Sequence, residues 1–474
     1  GAGLVLIADD QGGVLPGEGG LHAVDGIDSN PAAAQRGGGD LQCVPVGVRH
    51  AQEGGVGVGA PQLHRADGDR HAGPLRQGEA ERESGVVGSQ IQQSGHQGPV
   101  GAVAMAGGGE GAMEKNLHRA GLHAQQVAGH PSDARRPCVR SCPVDAISVD
   151  KKNRRAFIDY SKCISCGNCT VACPFSAISD VSMITDVIEA IRDETQEVYA
   201  CFAPSIEGQF GGVSVGEMIR ALQYLGFTDA MEVSLGADAT AYYEAQEAKE
   251  VAREGGHMTT SCCPAFYNMV AKHYPALLDK VSHTVSPMVA TARFIKKKHP
   301  GAVVVFIGPC IAKKSEVKRY KDAGKIGADY VLTFDELYAM FEAKHIDPEA
   351  MASGDVQQGS KYGKNFAAAG GVTAAVQEVL AEEKFDMPVS CVKCSGAAEC
   401  KKALMLLRAG KLNETMIEGM VCEGGCVNGP AKITDPRESL GMRRQLMLGA
   451  DDRSIADNLE MNDFKDIDMK DGRM

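Results

Sequence analysis

Two adjacent cysteines before a proline, in Thr259-Thr260-Ser261-Cys262-Cys263-Pro264, constrain this chain more than any other feature. Their side chains leave the backbone in different directions, so they cannot both serve one ordinary bridge. One can bind a metal cluster while the other stays free for acid–base chemistry. The sequence has 16 cysteines in tight local groups within 474 residues. A secreted disulfide scaffold would be short and evenly cysteine-dense. The grouping therefore points to metal centres in a reducing compartment. Lys and Arg number 49 against 61 Asp and Glu, a net charge of −12. Phosphate binding needs a basic face, so a nucleic-acid partner is not expected. The longest apolar runs, such as 302–307, are strand-sized, so no membrane span is expected either. No charged and apolar leader opens the sequence. These features together predict a soluble, cytoplasmic protein.

Residues 1–135 differ from everything after them. They hold 30 of the 57 glycines and 8 of the 13 histidines, one lysine (Lys115), and no Phe or Tyr. No window keeps a helical or strand period for long, and apolar content is too low for a core. The histidines lack ligand spacing. Disorder or a shifted reading frame is expected here, in preference to a metal-handling arm. Cys43 takes no role.

From Arg136 the pattern changes. A cysteine-rich unit spans 138–178 and leads into a helix at 181–192. Apolar residues at helical spacing predict a helix through Val215, Met218, Leu222 and Leu225, stopped by Gly226. Asp238 is expected to cap a second helix carrying Glu244 and Glu247 on one face. A helix at 264–278, strands at 302–307 and 330–334, a helix at 372–383 and a segment at 416–421 follow. Strands alternating with helices predict an α/β domain, with ligands at the carboxyl ends of strands, where Cys310 falls.

Cys163-x2-Cys166-x2-Cys169-x3-Cys173-Pro174 is the bacterial ferredoxin run, a four-thiolate spacing for a cubane. Zinc sites favour two separated cysteine pairs instead. The fourth cysteine of each run ligates the other cluster in two-cluster ferredoxins. One cluster is thus expected on Cys142, Cys163, Cys166 and Cys169. Cys138 and Cys173 would belong to a second, lacking two upstream cysteines. One or two accessory clusters remain open.

Three more cysteine motifs occur downstream: Thr259–Pro264, Gly308-Pro-Cys-Ile-Ala-Lys-Lys314, and Met420-Val-Cys-Glu-Gly-Gly-Cys-Val-Asn-Gly-Pro430. They supply five cysteines, one more than a cubane needs, leaving one candidate reactive thiol. In this order and behind a ferredoxin unit, they resemble the motifs of [FeFe]-hydrogenases over 136–474. The resemblance suggests a monomeric, ferredoxin-linked, less-studied subgroup. It implies an H-cluster, a cubane joined through one cysteine to a two-iron centre bearing CO, cyanide and a dithiolate amine. The implied cubane ligands are Cys263, Cys310, Cys422 and Cys426, with Cys426 bridging. Cys262 would pass protons to the amine, and Lys313 would donate to a cyanide. Ala203, Pro204 and Ser205 match the loop holding the other cyanide. Ser286 and Pro287 match the loop over the two-iron centre. Glu244, Ser282 and Glu247 fall at the family's proton relay. Without the resemblance, two glutamates three apart read as a solvated face.

The sequence departs from many members of the family at Gly308 (Met), Met288 (Gln), Gly429-Pro430-Ala431 (three glycines) and Phe266 (Trp). The implied fold is an α+β ferredoxin-like iron–sulfur domain (136–180), then an α/β H-cluster domain of two strand–helix lobes (195–436) and a tail (437–474). The implied reaction is reversible reduction of protons to H2, with a ferredoxin-like electron carrier and hydrogenase maturation proteins as partners. An H2 sensor or a non-catalytic iron–sulfur scaffold of the same fold are the alternatives. Cys391, Cys394 and Cys400 form a further group, too small for a cubane, with either redox or plain structural roles.

Overall fold

Strand Val198–Phe202 is buried at all five positions, as an interior parallel strand must be. It pairs on one side with Asp229–Glu232 and on the other with Val303–Gly308, which in turn pairs with Tyr330–Thr333. All four run parallel. A second parallel sheet has Met416–Met420 at its centre, between Cys391–Ser395 and Met258–Thr259. The structure, a computed structural model, describes residues 122–124, 136–150, 155–352, 356, 358–448 and 452–471.

Helices cover both sheets. Ser214 caps Val215–Leu225 in a reciprocal capping box with Glu217, and Gly226 closes it at φ +125°. Helix Ser234–Arg253 runs longer than expected. Its N-cap is Val233, and Asp238 lies inside it, fully buried. Asp238 does not cap. It accepts from the Ser360 N–H (2.8 Å), the Ser360 hydroxyl (2.6 Å) and Asn458 Nδ2 (2.7 Å), all distant in sequence. The 264–278 segment divides into an α-helix, Pro264–His273, and a 3-10 turn, Pro275–Lys280.

The cysteine-rich unit precedes these sheets. Short helices Pro137–Ser141 and Asn168–Ala172 hold the two cysteine half-runs, and Ile147–Val149 pairs antiparallel with Ala156–Ile158. Of the expectation for 1–135, one part is met by a different finding: Leu122–Ala124 is a strand, antiparallel to Ile178–Asp180. The rest of 1–135 lies outside the described residues.

Within the tail, 437–474, the described residues form further elements. Helices Pro436–Leu448 and Ile455–Met461 continue the fold. Phe464, Ile467 and Met469 are buried in the core, and Phe464 stacks on Phe294 with centroids 4.6 Å apart. Apolar residues scattered among many charges gave too weak a period to show this.

Candidate metal centre

The carboxyl ends of both sheets open on one cavity of about 90 Å³. Strand Val198–Phe202 delivers Ala203 and Pro204 to its wall, and Val303–Gly308 delivers Pro309 and Cys310. From the second sheet, Met258–Thr259 delivers Cys262 and Cys263, and Met416–Met420 delivers Cys422 and then Cys426. Helix Pro287–Lys298 contributes Pro287 and Met288 from its first turn. All five cysteines of the three downstream motifs thus line one space, from positions up to 164 residues apart (426 − 262). Phe306, Phe366 and Val233 make much of the remaining wall apolar. Sequence reasoning missed Phe366 and Val233, which belong to no motif.

Among the described residues, no three His, Cys, Asp or Glu side chains converge as a single-ion site requires. The thiols ring a cavity instead, an arrangement that suits a polynuclear cluster and not a zinc ion. Burial pushes Cys310 up to about 11 and Cys426 up to about 12, with the neighbouring thiols adding to it. Cys422 is raised as well, by burial and then by Cys310 and Cys263. Such thiols hold their protons at neutral pH unless iron displaces them. Ser205, which follows the wall residue Pro204 without itself lining the cavity, is fully buried, and its hydroxyl has no partner among the described residues. A buried unpartnered donor beside such a cavity is what a bound polar group would satisfy. The residues therefore fit an iron–sulfur cluster with a polar extension.

Lys313 is buried with its ammonium at the cavity wall. It donates to Glu316 Oε2 (2.6 Å), Ser286 Oγ (3.0 Å) and the Cys262 carbonyl (3.4 Å). Burial, the largest single influence, works to lower its pKa, but Glu316, Cys310 and Cys262 together outweigh it and the net shift is upward, so the lysine stays charged. Glu316 was not foreseen; its only trace in the sequence is the i,i+3 spacing.

Cys262 is buried, and its pKa is raised by burial first and by Glu244 second. Glu244 is fully enclosed, with burial pushing it up to about 8. Its Oε1 accepts from the Ser261 N–H at 3.1 Å and lies 3.4 Å from the Ser261 hydroxyl, while Oε2 has no partner among the described residues. The Ser261 hydroxyl donates to the Thr284 carbonyl. Glu247 accepts from the Thr284 hydroxyl (2.7 Å) and the His283 N–H (2.9 Å). Ser282 is buried, its hydroxyl accepting from the Thr284 N–H at 3.1 Å. Among the described residues no direct hydrogen bond joins Ser282 to either glutamate. Ser261 and Thr284 fill in around the three expected groups, and no motif signalled them.

A second, smaller cavity is lined by Cys142, Cys163, Cys166 and Cys169. Cys138 and Cys173 neighbour one another, as the crossed ligation of a duplicated unit would place them. Cys166 lines both cavities. Gly167, at φ +79°, packs where an added Cβ would sit 2.6 Å from Pro430. Among the departures, Gly308 leaves room for Phe306, whose ring would meet a Cβ there at 2.7 Å. Cys394 and Cys400 are buried side by side, and Cys201 lies in the core.

Residues 196–430 match the family model for the C-terminal domain of the iron-only hydrogenase large subunit. That region belongs to the iron-only hydrogenase family. Residues 130–184 match a model for the LdpA Fe–S cluster-binding domain. Iron hydrogenase 1 of Clostridium pasteurianum is 29% identical over 376 residues, covering 59% of this chain and 65% of that protein. The chain thus spans less than two thirds of that relative. The periplasmic [Fe] hydrogenase large subunit of Nitratidesulfovibrio vulgaris is 29% identical over 363 residues, covering 59% of this chain and 86% of its own. A solved [FeFe]-hydrogenase structure recording stepwise H-cluster assembly has a TM-score of 0.50 at 22% identity, covering 60% of this chain and 94% of its own. That likeness concerns fold. Both parts are of mixed α/β character, the hydrogenase domain preceded by an iron–sulfur-binding region. Among the described residues, no helix is long and apolar enough to cross a membrane.

Proposed function

We propose that this chain is an [FeFe]-hydrogenase catalysing 2 H⁺ + 2 e⁻ ⇌ H2. The observation that carries this is the convergence of five cysteines, Lys313 and the Ala203–Pro204 loop on one cavity. Cys263, Cys310, Cys422 and Cys426 would hold the H-cluster, with Cys426 between its two parts. When bound, that group supplies the redox centre at which protons and electrons combine. Lys313 offers an ammonium fixed by Glu316 and Ser286, suited to an anionic ligand. Ser205 offers its unpartnered hydroxyl. Pro287 and Met288 form part of the cavity's apolar wall.

Cys262 is the thiol left over. It keeps its proton at neutral pH, and so does Glu244, which makes both competent proton donors. Glu247, half-buried and held by Thr284 and His283, stands toward solvent. Ser282 would stand between them in the relay, with water completing the connection. Electrons would come from a ferredoxin-like carrier through a cubane on Cys142, Cys163, Cys166 and Cys169. Cys138 and Cys173 would be half of a second site. The two sheets would be the two lobes of the catalytic domain, and the protein would be cytoplasmic and loaded by maturation proteins.

Retention of Cys262, Lys313 and Ser205 favours an enzyme over a scaffold. Replacing Cys262 by Ala should lower H2 turnover by at least ~10²-fold, the usual worth of a positioned proton donor, with cubane iron content unchanged. Equal turnover in the two proteins would remove Cys262 from the proton path.

A further inference from the structure

The catalytic region holds the accessory-cluster loop with two lysines. Helix Pro264–His273 starts directly after Cys263 and ends at that loop, a span of roughly 15 Å at 1.5 Å per residue. Near its end, Lys272 donates to the carbonyl of Cys163 (2.6 Å) and of Tyr160 (3.0 Å). Asn268 and His273 meet the carbonyls of Ile164 and Lys162 from the same helix. From helix Ala397–Arg408, Lys401 donates to the carbonyl of Pro143 (2.9 Å), the residue after Cys142. Each ammonium therefore sits on the backbone of, or next to, a cysteine lining the small cavity.

Backbone carbonyls leave a positive charge uncancelled. Among the described residues, neither lysine has a carboxylate within ion-pair distance. Lys314 makes the contrast: it also reaches a carbonyl of the iron–sulfur segment, Val181 (2.9 Å), but Asp180 and Glu336 neutralise it. Lys272 is exposed as a residue, yet its ammonium is turned in to the Cys163 and Tyr160 carbonyls. Reduction makes a cubane more negative, and nearby net charge is one of the determinants of its potential. A fixed cation favours the reduced form.

We infer that Lys272 and Lys401 are positioning residues that set the accessory cluster at a higher reduction potential than its cysteines alone would give. They would make it an electron acceptor from the carrier. The inference rests on the ligand reading of Cys142, Cys163, Cys166 and Cys169, and deepens it.

The test needs no hydrogenase activity. Full-length protein carrying cubanes but not the two-iron centre is titrated with redox mediators and followed by EPR, alongside Lys272→Gln, Lys401→Gln and Lys272→Arg. Iron content and a cubane signal in the wild type report on the ligand reading alone; their absence would overturn that reading and this inference together. With clusters present, each Gln variant should show an accessory reduced-to-oxidised ratio at least threefold lower at fixed potential, roughly 28 mV at 59 mV per decade. K272R should stay near wild type, and the catalytic-site cubane should move less. Should one Gln variant fail to load iron, the other decides. A midpoint unchanged in the loaded Gln variants would overturn the inference, as would an equal drop in K272R, which keeps the charge.

Discussion

Glu244 shows how burial turns an ordinary side chain into a proton carrier. Its ordinary value is 4.5, and burial moves it to about 8. Between those values the folded protein holds a proton that the unfolded chain releases. The native state then binds more protons, so stability falls as pH rises through that window. Replacing Glu244 by Gln should flatten that part of the profile, measured as the urea midpoint from pH 5 to 9. The same slope in both proteins would place the carboxyl in contact with water. Cys262 belongs to the same pocket, and the pair share a preference for the protonated state. The doublet Cys262-Cys263 can divide its labour because Pro264 starts a helix at once, with Cys263 at its N-cap and Cys262 on the strand side.

At the scale of elements, strand ends do the assembling. Both parallel sheets aim their carboxyl ends at one space, which is why motifs far apart in sequence meet there. The C-terminal segment contributes more than its composition suggests. Phe464 lies fully buried against Phe294 at 9° between ring planes, and the Met469 carbonyl accepts from the Val285 N–H at 2.9 Å. Val285 precedes the Ser286-Pro287 loop. Phe464→Ala should cost about 3–5 kcal/mol, the range for a buried aromatic, read as a lower urea midpoint. A loss under ~1 kcal/mol would show that the segment is dispensable.

For the whole molecule, the cysteine spacings made legible which cysteines share each of the two cavities, but not the apolar residues, such as Val233 and Phe366, that complete the larger wall. Thr259–Pro264, the Gly308 motif and the Met420 motif each carry local turn chemistry that a sequence displays. What stayed hidden was tertiary. Asp238 looked like a helix cap because its partners, Ser360 and Asn458, lie 122 and 220 residues away. The buried set of Lys364 with Glu207 and Glu232 behind the cavity wall spans 157 and 132 residues and has no local pattern. The clamp of Lys272 and Lys401 on the iron–sulfur loop is hidden for the same reason, since its acceptors are backbone carbonyls. A sensor or scaffold with this fold would keep such packing, so turnover, and not packing, separates them from an enzyme.

The most direct measurement is hydrogen formation by the full chain. Iron-loaded protein, activated with the two-iron cofactor, is supplied with reduced viologen and the headspace is read by gas chromatography. Sustained H2 well above a control without protein is the predicted result. Fully iron-loaded, cofactor-treated protein that yields no H2 would contradict the assignment as an enzyme.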